Sequence, residues 1–329
     1  MANLTIRGVD DETDEKLRIA ARQTGRSLEA TVRDVLRGWA TQEGEKGLNT
    51  PRGRLLTLME TFPAIILAMP GADEAHKKPL NAAYLAYNLG HPDSSRVDAW
   101  LEGVATPTFD ELQGVARFFG VVPDWLLFGN RHPYFVENYQ LREDPVGAVT
   151  WLLDLDAEPQ KLARLTFVRC DSETGQLAIV KEYRDFRSGV YHTPIHVSDM
   201  IGAGGEHMLM ALLVTLRLTY AVYTGKRTGF HCETIIRSLI LSSGKFDELL
   251  QGDNHPSLTL PKSGISNPWW EDIWDTNRPT DYWPGFAGIS KRIQNAINAD
   301  PVLLEMTRQI QNRTLPMLKN SIIPLQVSA

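Results

Sequence analysis

The chain has 329 residues, 43% of them hydrophobic and 22% charged, with a formal net charge of −6. That length predicts two or three domains, each able to bury a core, and the composition excludes a disordered or fibrous chain. The negative balance excludes a surface that coats nucleic acid broadly, although a local reader needs only a few positive groups.

The first forty residues are short on core but rich in local signals. Asn3–Val9 alternates, with Leu4 and Ile6 on one side and Asn3, Thr5 and Arg7 on the other, the pattern of a half-buried strand. A lone strand leaves N–H and C=O groups unpaired, so a partner strand is expected, the same strand of a second chain being the nearest candidate. Asp10 or Asp11 can cap a helix whose first turns carry Glu12, Asp14 and Glu15, with Leu17, Ala20 and Ala21 as its apolar stripe and Gly25 as its stop. Ser27 caps a second helix that buries Leu28, Val32, Val35, Leu36 and Trp39. Two copies would interlock these helices into one dimeric core, presenting a two-stranded ribbon of a width that fits the DNA major groove.

The strings NLTIRGV and GRSLEATVR (Gly25 to Arg33) closely resemble the FitA-like branch of the ribbon-helix-helix repressors, over about the first 40 residues. The resemblance implies that Asn3, Thr5 and Arg7 face bases and that Arg26 and Ser27, at the start of the second helix, hold a phosphate. The plainer alternative is an edge strand added to some other sheet.

Thr41–Thr50 is polar and aperiodic and reads as a linker. Arg52–Met69 resumes apolar periodicity, broken at Pro63, and Pro70–Lys78 is turn-rich. Four short helices follow: Asn81–Leu89, stopped by Gly90; one capped by Ser94 or Ser95 and stopped by Gly103; one capped by a Thr108/Glu111 box and stopped by Gly120; and a last turn opened by Pro123. Helices this short persist only when packed together. The segments LAYNLG, RVDAWLEG and DWLLFG resemble the Cro and phage-repressor helix-turn-helix family. By that resemblance Ser94–Leu101 takes the recognition position, Val97, Trp100 and Leu101 pack inward, and Ser94, Ser95, Arg96, Asp98 and Ala99 face the groove. The chemistry departs from the family: Val104 and Ala105 stand where a phosphate-gripping cation is usual, and Asp93, Asp98 and Glu102 outnumber Arg96. A role in dimerisation or protein contact is the equal alternative.

Residues 131–329 match no nameable family. Leu162–Cys170 and Gln176–Tyr183 read as a β-hairpin, and Gly189–Val197 as a third strand placed at an edge by Pro194. Helices are expected at Glu206–Thr224, Glu233–Leu241, Ile289–Ala299 and Pro301–Met317, making an α+β unit. Met208–Tyr223 is the most apolar stretch, interrupted by Thr215, Arg217 and Thr219, and reads as a buried helix. Trp269, Trp270, Trp274, Tyr282 and Trp283 crowd one turn-rich segment, where they either anchor an irregular loop or form a protein interface.

No enzyme is expected. His192 and His196 share a strand face without further ligands, His231–Cys232 adds none by spacing, and the two cysteines, Cys170 and Cys232, read as reduced thiols. IGAGGEH (Ile201–His207) lacks the Lys-Ser/Thr ending of a phosphate loop, and Glu271, Asp272 and Asp275 have no visible acid/base arrangement. No metal or cofactor is therefore expected. With no signal pattern and no apolar run long enough to span a bilayer, the expected location is cytoplasmic, without membrane contact.

The expected architecture is multidomain and mainly α: a ribbon-helix-helix dimerisation and DNA-binding domain (1–42), a linker (43–52), a helix-turn-helix bundle (53–130) and an α+β C-terminal domain (131–329). The expected function is a homodimeric, sequence-specific transcriptional repressor bound to a double-stranded DNA operator. The alternative is an antitoxin-like or mobile-element accessory protein whose C-terminal region binds and neutralises a partner protein.

Overall fold

The computed structural model describes residues 11–24, 27–29, 31–32, 48–69, 80–157, 162–227, 234–261, 267–277 and 281–319. The expected strand Asn3–Val9, with Asn3, Thr5 and Arg7, lies outside the described residues, as do Arg26, Val35, Leu36, Trp39, His231 and Cys232. Among the described residues the chain is mainly helical with one five-stranded mixed sheet.

Helix α1 spans Asp11–Thr24. Residues 28, 29, 31 and 32 are again helical, and the Ser27 carbonyl accepts from the Thr31 N–H at 3.0 Å. Ser27 therefore occupies the N-cap position, as its place before Leu28 predicts.

The second body comprises α2 (Pro51–Ala68), α3 (Ala82–Leu89), α4 (Ser95–Glu102), α5 (Phe109–Phe119) and α6 (Pro123–Phe128). Thr50 caps α2 through the Gly53 N–H, with Pro51 in the first turn where its missing donor costs nothing. The last two residues assigned to the linker are thus helical. Pro63 does not end the helix as its type suggests; it lies on the exposed face, where water can satisfy the carbonyl it leaves unbonded. Asn81 caps α3, and the Thr108/Glu111 box closes on α5. Leu55, Leu58, Phe62, Leu85, Val97, Trp100, Val115, Phe119 and Leu126 form the common core.

Two arginines in the first turn of α2 stitch this body. Arg52 donates twice to the Leu101 carbonyl, at 2.8 and 3.1 Å, near the C-terminus of α4. Arg54, only 2% exposed, donates to the Leu126 and Leu127 carbonyls of α6 and to Leu48. Each cation thereby meets orphaned carbonyls at the negative end of a helix dipole.

The remainder is built on the sheet β1-β4-β3-β2-β5, with β1 Phe135–Asn138, β2 Leu162–Cys170, β3 Gln176–Tyr183, β4 Ser188–His196 and β5 Ile235–Leu241. The central three strands are antiparallel; β1 joins β4, and β5 joins β2, in parallel. Leu165, Phe167, Leu177 and Ile179 face a core completed by α7 (Pro145–Leu152), α8 (Ala203–Arg227), α11 (Trp269–Asp272), α12 (Phe286–Ala299), α13 (Pro301–Gln311) and α14 (Pro316–Lys319). Alternate residues Val168, Ala178, Val180 and Leu239 face the opposite way, onto α9 (Ser243–Gln251) and the segment ending in Leu260, just past α10 (Pro256–Thr259). The period of two thus serves two cores at once.

Several expectations are corrected. Residues 235–241 form a strand, not part of a helix. IIRSLIL is buried as a parallel strand beside β2, and such strands read as continuous apolar runs that periodicity cannot separate from helix. Strand β4 is internal, paired on both sides through His192; Pro194 falls just beyond the β1 pairing, where no ladder donor is required. The helix expected at 301–317 divides at Arg313, whose φ of 53° is left-handed. Ala203–Gly225 is long and apolar enough to cross a membrane by length and composition, contrary to the sequence reading, but it is mostly buried against the sheet and its neighbouring helices.

Among the described residues the bundle and the sheet unit pack against each other through Phe186, Tyr134, His255 and Ser257. Phe186, at the β3–β4 turn, packs edge-on against Phe62 with centroids 4.9 Å apart. Tyr134, beyond the expected boundary at residue 130, belongs to the bundle core. Below this contact the sheet is ionic: Arg164 grips Glu182 at 2.5 and 2.6 Å, and the Ser257 hydroxyl donates to the same carboxylate. His255 is fully buried; its Nε2 lies 3.1 Å from the Phe186 carbonyl and its Nδ1 3.1 Å from the Ser257 N–H. Those partners are an acceptor and a donor, which assigns the neutral ring with the proton on Nε2, in accord with burial lowering its pKa.

Candidate nucleic-acid interface

In the N-terminal unit, α1 presents Glu15, Lys16, Arg18 and Arg22 to solvent and buries Ala21. Its apolar side chains are incompletely covered: Leu17 is half-buried, and Ile19, two positions further and therefore on another face, is 43% exposed. Leu28 and Val32 are half-buried as well, whereas Thr31 is buried and returns its hydroxyl to the Ser27 carbonyl at 3.1 Å. Ser27 is exposed at the N-terminus of the second helical segment, where backbone N–H groups favour an anion. Of the five residues expected to touch DNA here, Ser27 is the one among the described residues.

The second candidate surface is α4. Val97 and Trp100 are buried and Leu101 half-buried, as expected. Ser94 occupies the N-cap position, its carbonyl accepting from the Asp98 N–H at 2.9 Å, but the side-chain bond comes from Asp93, which accepts from the Ser95 N–H at 2.9 Å and from its hydroxyl at 2.5 Å, contacts that lower its pKa. Arg96 is engaged within the protein. Its guanidinium binds the Glu111 carboxylate through Nε at 2.9 Å and Nη2 at 3.0 Å, and lies 5.7 Å from the Trp100 ring centre. This clamp holds the Glu111 pKa down at about 2. Ser95 is exposed, while Ser94, Asp98 and Ala99 are half-buried. Beside exposed Asp93, Glu102 and Asp110 the bundle also exposes apolar side chains: Val104 at 78%, Phe109 at 68%, with its ring 6.5 Å from that of Phe128, and Tyr87 at 81%.

The tryptophan-rich segment is core, not surface. Trp269, Trp270 and Trp283 are at most 5% exposed, and Trp269 donates to the Leu239 carbonyl at 3.2 Å. Trp274 alone is partly exposed, at the mouth of a cleft. His192 sits half-buried at the β1–β4 seam, with Nδ1 3.2 Å from Asn138 Oδ1 and its pKa lowered by burial. Among the described residues no group of three or more His, Cys, Asp or Glu is placed to hold a metal. In the glycine-rich segment Glu206 pairs with Arg292, so the first turn of α8 already carries an anion. Asp272 accepts from the Tyr282 hydroxyl. Sequence reasoning passed over the cleft beside Trp274, because Arg217 appears there only as an interruption of an apolar run.

Comparison with known proteins locates one match. A family model described as Antitoxin FitA-like, ribbon-helix-helix, matches residues 2–40. The N-terminal segment is thus similar to a family of DNA-binding antitoxins and regulators. No curated protein and no solved structure matches the chain.

Proposed function

We propose that this protein is a homodimeric, sequence-specific DNA-binding regulator that represses transcription by occupying its operator. The observation that carries the reading is the ribbon-helix-helix match at residues 2–40, which contains Asn3, Thr5 and Arg7 in alternation. The incomplete cover of Leu17, Leu28 and Val32 supports a partner subunit, since a second copy would cover them. Thr5, Arg7 and Asn3 of two chains then read a pseudo-palindromic site, and Ser27 with Arg26 holds flanking phosphate. The net charge of −6 makes binding depend on these specific contacts more than on a diffuse field.

The helix-turn-helix-like bundle is assigned to protein contact. Its one cation on α4 is held by Glu111, Asp93, Asp98 and Glu102 are its near neighbours in sequence, and the bundle exposes Val104, Phe109 and Phe128. The protein is read as cytoplasmic and as acting without catalysis. The second reading, neutralisation of a partner protein, is favoured by the word antitoxin in the matched family's description.

Gel-shift titration against genomic fragments selected by the full-length protein tests the first reading. Arg7→Ala should lose about 1–3 kcal/mol of specific affinity and relax specificity at its base pairs. Unchanged affinity of that variant, or a monomer by light scattering, overturns it.

A further inference from the structure

The polar cleft in the C-terminal unit lies between α8, the loop after α11, and α12 and α13, and encloses about 620 Å³, the size of a small-molecule site. Three guanidinium groups line it: Arg217, Arg308 and Arg313. Asp275 is the one carboxylate among the described lining residues, leaving an excess of two positive charges. Arg217 is held in a partly buried position, and burial lowers its pKa. It makes a long hydrogen bond to the Trp274 carbonyl, at 3.4 Å, lies 6.0 Å from the Trp274 ring centre, and interacts with the charge of Asp275. Most of its donor fork has no acceptor described.

Two further observations point to a ligand. Thr307 lines the cleft, is 4% exposed, and its buried hydroxyl has no hydrogen-bond partner. Buried hydroxyls are ordinarily satisfied. Arg313, meanwhile, stands at a left-handed φ of 53° just beyond α13, a position that favours glycine. The strained backbone carries its guanidinium across α8 to the Ala221 carbonyl, at 3.1 Å, through the space left by Gly225, where any side chain would displace it. The same residue closes the end of α13, with the Thr314 N–H donating to the Gln309 carbonyl at 2.9 Å, and its side chain brings a cation to the cleft. Beside Arg217, Trp274 and Tyr220 meet edge to face at 5.3 Å and offer an aromatic wall.

We propose that this cleft binds a phosphorylated small molecule bearing a flat ring, of the nucleoside phosphate class. Planar guanidinium forks match phosphate oxygens in pairs, the Thr307 hydroxyl supplies one more bond, and the aromatic pair takes the ring. The site makes the C-terminal unit a sensor.

Isothermal titration of the full-length protein, without DNA, with the four nucleoside monophosphates, inorganic phosphate and adenosine tests this directly. At least one nucleotide should bind and raise the unfolding temperature, at least tenfold tighter than either phosphate or adenosine alone. Arg308→Gln, at an exposed position, should weaken it at least tenfold while leaving the unliganded unfolding temperature unchanged; Arg117→Gln, outside the cleft, should leave binding unaltered. Absence of binding by all four nucleotides at millimolar concentration overturns the proposal. So does equal binding of inorganic phosphate, or full retention of affinity in both Arg308→Gln and Arg313→Gln. Because no DNA is present, none of these outcomes bears on the operator reading.

Discussion

The buried ion pair between Arg164 and Glu182 offers the sharpest test of how the sheet unit is held. Glu182 is 0% and Arg164 5% exposed, and the carboxylate accepts two guanidinium bonds and the Ser257 hydroxyl. Arg237 lies close by, satisfied by Thr166 Oγ1 at 3.1 Å and the Pro261 carbonyl at 2.9 Å; burial and the charge of Arg164 press its pKa down to about 10. At neutral pH the site therefore holds two cations against one anion. Glu182→Gln removes that anion and leaves two buried cations facing each other, a break that costs about 3–5 kcal/mol. For a unit of roughly 200 residues each kcal/mol moves the midpoint by about 2–4 °C, so thermal unfolding followed by tryptophan fluorescence should fall by about 6–20 °C. The double variant Arg164→Met/Glu182→Leu, which removes both charges and keeps the volume, should recover most of the loss. A Glu182→Gln midpoint within about 2 °C of the parent would refute the claim that this carboxylate is indispensable to the charge balance. The same site sets an acid limit. The folded pKa of His255 is depressed below its ordinary 6.5, so the unfolded chain binds its proton first and stability falls as pH drops below about 6.5. Glu182, depressed below 4.5, adds a second loss at lower pH.

Gly120 has φ of 68°, and a Cβ there would lie 2.6 Å from the carbonyl carbon of Phe186. Gly120→Ala should therefore destabilise by at least about 1–2 kcal/mol in urea titration, more than the same change at the open Gly90. Arg96 holds the Glu111 pKa near 2, so the clamp's stabilisation is complete above the ordinary carboxylate value of 4.5 and is lost between pH 4.5 and 2. Circular dichroism melts across that range should show a steeper acid loss for the parent than for Glu111→Gln. Trp269→Ala, emptying a fully buried site, should cost about 3–5 kcal/mol in the same melts.

What the sequence made legible follows the physics of each signal. Caps and stops are local, so Asn81, the Thr108/Glu111 box and Gly90, Gly103 and Gly120 place α3, α4 and α5 nearly to the residue. The hairpin Leu162–Cys170 to Gln176–Tyr183 is legible for the same reason. Residues 235–241 were not, because the choice between helix and strand was made by the neighbouring β2 rather than by any residue within the run. The fate of Arg96 was equally hidden. A cation on an exposed helix suggests a phosphate partner, and only the packing of α5 against α4 brings Glu111 within 2.9 Å. The tryptophans could be read either way, since composition does not say which side of a loop faces the core. The cleft was out of reach because Arg217 and Arg313 stand far apart in sequence and meet through the crossing of α8 with the end of α13.

The division at residue 130 separates two cores without separating two bodies. Phe186 joins the bundle core through Phe62, and its carbonyl lies against Gly120 while receiving the His255 proton. Ser257, next to that histidine, touches Met69 at the end of α2 on one side and Glu182 on the other. A chain of contacts thus runs from the helical bundle through a left-handed turn residue, φ 65° at Phe186, into the ionic centre of the sheet. Because Glu182, His255 and Ser257 are buried and already bonded, shifting the bundle on the sheet would leave a polar group unpaired, at about 1–3 kcal/mol each. A displacement of the C-terminal unit therefore carries the bundle with it, and does not pass through a hinge at residue 130.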